Sequence, residues 1–455
     1  MRKVLIANRG EIALKAVRAA RRCGLQVVAV YSSADASSAH IFAADEAICI
    51  GGASPRESYL RGDVLIETAL ATGCDAVYPG YGFLAENAEF AEACASKGLT
   101  FIGPDPESIR TMGDKAMARD TAARLDVPVV PGSPCAFTEA SEAAEHVDSV
   151  GFPMLVKASA GGGGRGMRVI PQKESFHRLF EQASGEAEAA FGDGALYLER
   201  FFERVRHIEV QVFGDHHGNV RHLWDRDCSV QRRHQKLIEE APATLLPTNT
   251  RKDMADAALR LVRGTKYHNA GTIEFIYDMD SGEFFFIEMN TRIQVEHPVT
   301  ERLTGTDLIA EQFWIAAGNE MRLPELETVP DGCFIEWRIC AEDPAQNFTP
   351  VPGRITRLEL PTGPNVAFES HVFPGYEISP FYDSMIGKLI VGGGNRDEAL
   401  ENSRHALQAL RIEGVATTIP FHLAMLDEPD FIENDIHTRW IEAKQSEAKS
   451  GSAHA

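Results

Sequence analysis

Basic residues and long apolar runs are scarce in this sequence. Its 45 Lys and Arg residues face 66 Asp and Glu residues, for a net charge of −21 over 455 residues. Nucleic acid is not expected as a partner, because phosphate backbones need clustered cations. No apolar run approaches the length of a membrane span. The opening MRKVLIANRG leads into a predicted strand, so neither a signal peptide nor a membrane anchor is expected.

Closely spaced cysteines are also missing. The eight cysteines lie far apart, and none forms a C-x-x-C motif. In a chain of this size, that pattern is typical of a reducing compartment with free, mostly buried thiols. We therefore expect a cytoplasmic protein, with a metal site built from cysteines as the weaker alternative.

The length predicts two to four domains, since 455 residues exceed what one hydrophobic core usually serves. The first hundred residues alternate short apolar strands with helices, which predicts a parallel sheet covered by helices. The predicted elements are strands Lys3–Asn8, Leu25–Ser32, Ala76–Tyr78 and Thr100–Ile102 and helices Glu11–Cys23 and Asp63–Ala71. No G-x-G-x-x-G motif occurs, so dinucleotide binding is not supported.

A small α+β module is predicted after the proline-rich stretch Val127–Pro134. Its elements are strands Met154–Ala158, Met167–Ile170 and Leu196–Glu199 and a helix that starts at Glu174. Longer strands with hairpin signals follow, and the region from Gly353 to about Gly394 is predicted to be a β-rich meander.

Polar residues occupy alternate positions after the apolar stretch Phe284–Ile287. They are Glu288, Asn290, Arg292, Gln294 and Glu296. In an extended chain these five side chains point to one face. Two carboxylates, a guanidinium and two amides on one surface are costly unless a bound species uses them. We call residues 288–296 the polar ladder and expect it to carry the chemistry.

The polar ladder begins in a predicted β-hairpin. Its two strands flank a turn-rich loop and are Thr272–Tyr277 and Glu283–Met289. We expect Tyr277 to lie opposite Phe285. Glu274 then falls opposite Glu288, and like charges in that position are destabilising. A hard divalent cation would resolve the repulsion, with Asn290 as a further oxygen ligand. The alternative is a different register, with both carboxylates in water.

A glycine-rich segment, AGGGGRG at 160–166, follows Lys157 and joins two predicted strands. Consecutive glycines let backbone N–H groups approach phosphate oxygens, and a nearby lysine adds charge. The segment is not a P-loop, because no Gly-Lys-Ser/Thr follows and no helix begins there. By itself the pattern is equally compatible with a surface hairpin.

Two further strands and one arginine carry polar groups. In HIEVQV at 207–212 the odd positions, starting at His207, are polar and predict a face toward a site or water. In QRRHQK at 231–236, Arg232, His234 and Lys236 share one parity and could hold an anion. Arg338 lies mid-strand, where pairing with a carboxylate is the simpler interpretation from spacing alone.

In this order, the segments resemble the biotin carboxylase family of ATP-grasp ligases. The motifs are Lys157 with GGGGRGM, HIEVQV, DCSVQRRHQK, GTIEF, FIEMNTRIQVEHPVTE, AEDP and YDSMIGKL, within a resemblance from Ala7 to about Trp440. The resemblance implies an α/β and α+β multidomain fold. Its parts would be a Rossmann-like N-terminal domain at 1–113, an ATP-grasp domain at 114–317 with a mobile lid at about 131–203, a β-rich C-terminal domain at 330–440 and a flexible tail at 441–455.

The resemblance also implies a role for each matching residue. ATP would be bound by Lys115, Lys157, Gly163, Gly164, Glu199, Arg200, Phe201, Phe202, His207, Gln231 and His234. Mg²⁺ or Mn²⁺ would be held by Glu274, Glu288 and Asn290. Bicarbonate would contact Lys236, Arg292, Gln294 and the Val295 backbone, with Glu296 as general base. Arg338 would stabilise the biotin enolate, and Tyr81 would line the biotin pocket.

The implied reaction starts when Glu296 deprotonates bicarbonate, which then attacks the γ-phosphate of ATP. Carboxyphosphate and ADP form, and metal, Lys, Arg and His groups stabilise the spreading negative charge. Carboxyphosphate yields CO₂ and phosphate, the phosphate deprotonates biotin, and the enolate captures CO₂ beside Arg338. The glycine-rich segment would close as a lid over this intermediate.

Three positions depart from the family pattern, which has His at Tyr78, Ser at Ala85 and commonly Leu at Phe202.

No Ala-Met-Lys-Met biotinylation motif occurs. We therefore expect biotin on a separate biotin carboxyl carrier protein and carboxyl transfer on another subunit. The resemblance implies a homodimer and the first half-reaction of an acyl-CoA carboxylase, of the acetyl-CoA type that serves fatty acid biosynthesis.

Two alternatives keep the fold and change the function. The chain could be an ATP-grasp ligase that carboxylates another small molecule, or an inactive ATP-binding subunit that holds a carboxylase complex together. Arg338 and the turn at Tyr81 favour biotin over the first alternative. The presence of every proposed catalytic group argues against the second.

Overall fold

The computed structural model describes residues 1–159, 167–233 and 235–444, with the side chain of Phe191 excepted. Gly163, Gly164 and His234 lie outside the described residues, as does most of the predicted tail. Among the described residues, no helix combines the length and the apolar character needed to span a bilayer.

The N-terminal region is the predicted parallel sheet with helices on both faces. Its strands, from edge to edge, are Glu46–Gly51, Gln26–Ser32, Lys3–Ile6, Ala76–Tyr78 and Thr100–Phe101. Its helices are Gly10–Arg22, Ala39–Ala43, Gly62–Ala71, Ala88–Ser96 and Pro106–Gly113. The strand Glu46–Gly51 was not predicted, although Ala47–Ile50 is a short apolar run; of its residues only Ile50 is buried.

The α+β module contains the three strands expected from the sequence. They are Met167–Ile170, Met154–Ala158 and Leu196–Arg200, in that order across an antiparallel sheet. The helix Phe176–Phe191 covers the sheet, and its Phe180 is fully buried against Val156 and Leu198. This small core is separate from the others, so the module is a packed unit of its own.

An eight-stranded sheet forms the largest part of the molecule. Its strands, in spatial order, are Phe284–Asn290, Asn269–Asp278, Val205–Gly214, Val220–Arg232, Gln235–Ala241, Cys333–Cys340, Met385–Gly393 and Val366–Ser370. All neighbours in it are antiparallel. The sheet continues across the predicted boundary near residue 330, so strands on both sides of that boundary can contribute to one surface.

The remaining helices and short strands belong to the region of the large sheet, except for Ala140–Ala143 and Val147–Val150, which pack in the α+β module. The helices are Lys115–Arg124, Ala140–Ala143, Val147–Val150, Thr248–Gly264, His297–Thr304, Leu308–Ala316, Arg396–Ala409, Ile419–Met425 and Pro429–Ile432. The short strands are Glu342–Asp343, Thr349–Pro350, Gly353–Arg354, Arg357–Glu359, Glu377–Ile378 and Arg411–Glu413. The strands within 353–393 confirm that this region is β-rich, but the predicted meander is wrong, because strands that follow one another in the sequence do not pair and belong to different sheets.

The hairpin at the start of the polar ladder has the predicted pairing of its glutamates. Glu274 lies directly opposite Glu288, although Tyr277 faces Phe284 and not Phe285. A register shift between Glu274 and Phe275 accounts for the difference of one residue.

The prediction for residues 231–236 as one extended strand is wrong. The chain turns at Arg233, whose φ is +50°, and Gln231 pairs with Lys236 across the turn. Arg232 therefore does not share a face with Lys236. Its guanidinium instead donates to the carbonyl oxygen of Asn347 at 3.0 Å and lies over the ring of Phe348.

Candidate active site

A cavity of about 920 Å³ opens on the eight-stranded sheet and contains most of the predicted site residues. Twelve of them line it, and each is polar or charged except for one valine. They are Lys115, His207, Gln231, Lys236, Glu274, Glu288, Asn290, Arg292, Gln294, Val295, Glu296 and Arg338. The C-terminal region also contributes to the lining, with residues 378–380 and 382–385.

The polar ladder is extended only at its beginning. The strand Phe284–Asn290 ends inside it, and Glu296 immediately precedes the helix His297–Thr304. All five alternating side chains nevertheless line the cavity. The prediction that the five side chains converge on one site is correct. The prediction of one straight strand is wrong, because the chain bends after Asn290 and so brings Arg292, Gln294 and Glu296 to the cavity.

A row of charged side chains crosses four neighbouring strands at the base of the cavity. Arg226 lies opposite Glu209, Glu209 opposite Glu274, and Glu274 opposite Glu288. Arg226 and Glu209 are fully buried. The guanidinium of Arg226 donates from Nε to Glu209 at 2.5 Å and from a terminal nitrogen to Gln294 at 3.3 Å. The buried guanidinium of Arg226 and the carboxylate of Glu209 therefore hold one another in position, away from water.

Lys236 lies at the centre of this charge network. Its ammonium group donates to Glu209 at 2.7 Å, to Glu274 at 3.1 Å and to Glu296 at 2.6 Å. Burial disfavours the charged ammonium, but Glu209 and Glu296 outweigh burial and raise the pKa of Lys236 well above its usual range. Lys236 is therefore a permanent cation beside three carboxylates.

Glu296 is an ionised carboxylate with two cationic partners. Its Oε1 accepts from Lys236, and its Oε2 accepts from a terminal nitrogen of Arg338 at 3.0 Å. Burial alone would favour the protonated acid. Lys236, Arg338 and Arg226 reverse that effect and hold the pKa of Glu296 well below its ordinary value. The group can thus accept a proton at neutral pH, although its basicity is low.

Arg292 is oriented by the N-terminal region. Its Nε donates to Glu86 at 2.8 Å, and a terminal nitrogen donates to the side-chain oxygen of Asn290 at 2.8 Å. Glu86 also accepts from the backbone N–H of Thr291 at 3.2 Å. One carboxylate therefore anchors both the guanidinium and the backbone beside it.

Lys388 joins the three large regions behind the cavity. Its fully buried ammonium donates to the carbonyl oxygen of Val295 at 2.8 Å and pairs with Glu11 at 2.9 Å. Glu11 lies in the first turn of the first helix, and Val295 belongs to the polar ladder. Lys388 thereby fixes the backbone next to Glu296 from behind.

Glu274 and Glu288 fit a divalent cation by the chemistry of their donors. Two carboxylates lie directly opposed, and Asn290 donates to Glu274 at 3.0 Å. Lys115 pairs with Glu288 at 3.3 Å, but its side chain is 85% exposed, so it neutralises Glu288 only weakly. Oxygen donors of this kind suit Mg²⁺ or Mn²⁺.

Several predicted site residues lie outside the lining of the cavity. Lys157 pairs with Glu199 on the neighbouring strand of the α+β module. Phe202 stacks on Phe285 with ring centroids 5.1 Å apart, and Arg200 lies over the ring of Phe202. The ring of Phe201 faces Arg439. Their assignment to ATP remains a prediction.

Tyr81 and the two nearby departures from the family pattern also lie outside this lining. The hydroxyl of Tyr81 donates to Glu11, which also pairs with Lys388. The hydroxyl of Tyr78 donates to Gln312 at 3.0 Å, and Ala85 is buried. The assignment of Tyr81 to biotin therefore remains a prediction as well.

Sequence reasoning missed five residues that orient the site. They are Glu86, Glu209, Arg226, Glu239 and Lys388. Glu209 lies on the polar face predicted for residues 207–212, so the alternation of polar residues in that strand could have identified it. The other four reach the site from distant strands or from another region, and their contacts depend on sheet order and domain packing.

Models of three protein families match successive parts of the chain. Their descriptions are biotin carboxylase, N-terminal domain, at residues 1–109; carbamoyl-phosphate synthase L chain, ATP binding domain, at 114–324; and biotin carboxylase C-terminal domain, at 336–443. Together they cover nearly the whole chain.

Individual relatives agree with these matches. A biotin carboxylase of Nostoc sp. is 49% identical over 97% of this chain and 98% of its own length. A pyruvate carboxylase subunit of Methanothermobacter thermautotrophicus is 47% identical over 97% of this chain and 89% of its own. The biotin carboxylase domain dimer of a Hydrogenobacter thermophilus 2-oxoglutarate carboxylase, solved with MgADP, ADP and bicarbonate, superposes with a TM-score of 0.86 at 45% identity over 97% of both chains.

Proposed function

Because the chain belongs to the biotin carboxylase family, we propose that it carboxylates biotin on a separate carrier protein, with ATP and bicarbonate as co-substrates. The observation that carries the proposal is the position of Glu296. Its carboxylate bridges Lys236 and Arg338 at 2.6 and 3.0 Å, with Arg292 and Gln294 on the same cavity wall. A base is thus surrounded by the cations that would hold an anionic nucleophile and an anionic biotin.

The first step uses Glu296 and the neighbouring cations. Bicarbonate binds between Lys236 and Arg292 and transfers its proton to Glu296, and its oxygen then attacks the γ-phosphorus while the bond to ADP breaks. The low pKa of Glu296 makes it a weak base, so the cations must stabilise the carbonate that forms. Mg²⁺ or Mn²⁺, held by Glu274 and Glu288, would supply charge neutralisation on the transferred phosphoryl group.

The second step uses Arg338. Carboxyphosphate breaks down to CO₂ and phosphate, which removes the proton from the ureido nitrogen of biotin. Arg338 donates hydrogen bonds to the ureido oxygen and stabilises the enolate that attacks CO₂. Its guanidinium is held by Glu239 on one side and Glu296 on the other, so it is oriented before the charge develops.

Steady-state assays can decide between this reaction and the alternatives. We expect ATP hydrolysis to require bicarbonate and to accelerate with free biotin or a biotinylated carrier, with carboxybiotin as product. Hydrolysis that responds to neither form of biotin would favour a ligase with another acceptor. No turnover under any condition would favour an ATP-binding scaffold.

The carboxyl acceptor and the partners are also proposals. We infer an acyl-CoA acceptor, with acetyl-CoA as the first to test, because a Mycobacterium leprae relative at 47% identity is named a biotin-dependent acyl-coenzyme A carboxylase subunit. The names of other relatives include pyruvate and 2-oxoglutarate carboxylases, so those acceptors are the alternatives. Affinity purification from the native host should identify a biotin carboxyl carrier protein and a carboxyltransferase. Transferase activity toward each acceptor then decides the class.

Oligomeric state and location complete the proposal. We infer a homodimer, because the Hydrogenobacter domain was solved as one. Light scattering after gel filtration tests this.

We also propose the reducing cytosol as the location, since all eight cysteines are free. Fractionation of the native host, followed by immunodetection, tests the location.

A further inference from the structure

Two buried carboxyl groups lie behind Arg338, apart from the residues assigned to substrates. Glu239 and Glu336 are directly opposed on the neighbouring strands Gln235–Ala241 and Cys333–Cys340. Both are 0% exposed. Side chains at opposed positions stand on one face of a sheet, with Cβ atoms about 5 Å apart. Two ionised carboxylates that close, with no water around them, repel one another strongly, which favours one proton on the pair.

Glu239 is the member of the pair that orients Arg338. Its Oε1 accepts a hydrogen bond from Nε of Arg338 at 2.5 Å and forms an ion pair with a terminal nitrogen of the same guanidinium at 2.5 Å. A charge-assisted hydrogen bond from a guanidinium favours the ionised form of the carboxylate. The Oε2 of Glu239, by contrast, has no hydrogen-bond partner among the described residues.

Glu336 is the member that lacks partners. Neither of its oxygens has a hydrogen-bond partner among the described residues. Arg338 on its own strand is taken by Glu239 and Glu296. On the next strand, Lys388 is taken by Val295 and Glu11. The helix that covers this area starts with His297, whose pKa burial holds well below its usual value, so it adds no charge.

These surroundings place the proton on Glu336. Burial raises the pKa of Glu336 well above its ordinary value, although Lys388 and Arg338 oppose this and Glu239 adds to it. Burial also raises the pKa of Glu239, to about 7, against the opposing effect of Arg338. Since only Glu239 has cationic donors on an oxygen, Glu336 is the group that stays protonated.

We propose that Glu336 is a positioning residue that remains a neutral acid and donates a hydrogen bond to Glu239, the carboxylate that orients Arg338. A carboxylic acid in an apolar site can remain neutral near pH 7 and act as a donor. The bond would satisfy the free oxygen of Glu239 and the hydroxyl of Glu336 together. The proposal rests on the proposed function only in that Arg338 acts on biotin.

Kinetics of substituted enzymes test the effect on Arg338. Glu336→Gln keeps a neutral donor and should retain turnover within about twofold of wild type, whereas Glu336→Leu should lower kcat/KM for biotin about tenfold, the size of one lost hydrogen bond. The KM for ATP should not change. As a control, Glu311→Leu removes a buried carboxylate remote from the cavity and should leave kcat/KM for biotin unchanged. Equal losses in Glu336→Gln and Glu336→Leu would overturn the proposal.

A double-mutant cycle shows whether Glu336 acts through Glu239. Glu239→Gln should itself reduce kcat/KM for biotin, because Arg338 loses its carboxylate. Adding Glu336→Leu to that variant should then cause little further loss. Full additivity of the two losses would mean that Glu336 acts independently of Glu239, and the proposal would be wrong.

Infrared spectroscopy tests the proton without any activity. Wild type near pH 7 should show the carbonyl stretch of a buried carboxylic acid, and Glu336→Gln should lack it. If the band is absent from wild type or persists in Glu336→Gln, the proposal is wrong. A wild type that shows no biotin-dependent turnover would contradict the proposed function, and the band would still decide the state of Glu336.

Discussion

The ammonium nitrogen of Lys236 lies 2.6 Å from Oε1 of Glu296, so the proposed base is paired with a cation inside a buried cluster. Glu296→Gln should lower bicarbonate-dependent ATP hydrolysis by about 10²-fold or more, the usual contribution of a general base. The assay is phosphate release at saturating ATP and bicarbonate.

A matched control lies on the same hairpin as Lys236. Arg232→Met removes a cation that contacts Asn347 instead of the cavity carboxylates, so it should leave phosphate release near the wild-type rate. If Glu296→Gln retains wild-type turnover, the assignment of the base is wrong.

The opposed pair Glu274 and Glu288 predicts a metal dependence. Glu288→Gln removes one anionic oxygen donor and should raise the Mg²⁺ concentration for half-maximal ATP hydrolysis by about tenfold or more. Glu283→Gln, at the exposed end of the same hairpin, is the control and should leave the titration unchanged. Equal metal titrations for the two variants would contradict the assignment.

The contact between Glu86 and Arg292 predicts an effect on bicarbonate. Glu86→Gln leaves Arg292 without its anionic anchor, and the KM for bicarbonate should rise about three- to tenfold, a modest effect because Glu86 is partly exposed. The KM for ATP should change less. Glu89→Gln, an exposed position on the helix Ala88–Ser96, is the control. A rise in both Michaelis constants together would point to general loss of structure instead.

His371 predicts how stability depends on pH. Burial, with help from Arg9, lowers its pKa from an unfolded value of about 6.5 to about 3. Between those values the unfolded chain binds more protons than the folded protein. The free energy of unfolding should therefore fall as pH drops below about 6.5, by up to about 1.4 kcal/mol per pH unit, and this group adds no dependence above that pH.

Urea unfolding at several pH values tests this dependence. His371→Gln should flatten the slope of the unfolding midpoint against pH below about 6.5, whatever its effect on stability at neutral pH. His405→Gln, at an exposed helix position, should leave the slope unchanged. A slope that is identical in wild type and His371→Gln would mean that the buried imidazole does not control acid sensitivity.

Local patterns predicted the parts of the site that lie close together in the sequence. Alternation located the polar ladder, and hairpin pairing placed Glu274 opposite Glu288. The bend after Asn290 and the turn at Arg233 escaped prediction, because alternating polarity looks the same in a strand and in a loop that bends around a cavity. No local signal pairs Arg226 with Glu209 or Glu239 with Glu336, since those contacts depend on which strands become neighbours.

The two contacts of Lys388 bear on how such a protein can evolve. The lysine comes from the C-terminal region, its carboxylate partner from the first helix and its carbonyl partner from the polar ladder. None of the three regions alone contains all the residues that hold the backbone next to Glu296. A gene fusion or exchange that transfers only the ATP-binding region would therefore lose the support behind Glu296. The buried contacts of Lys388 therefore favour the inheritance of the three regions together.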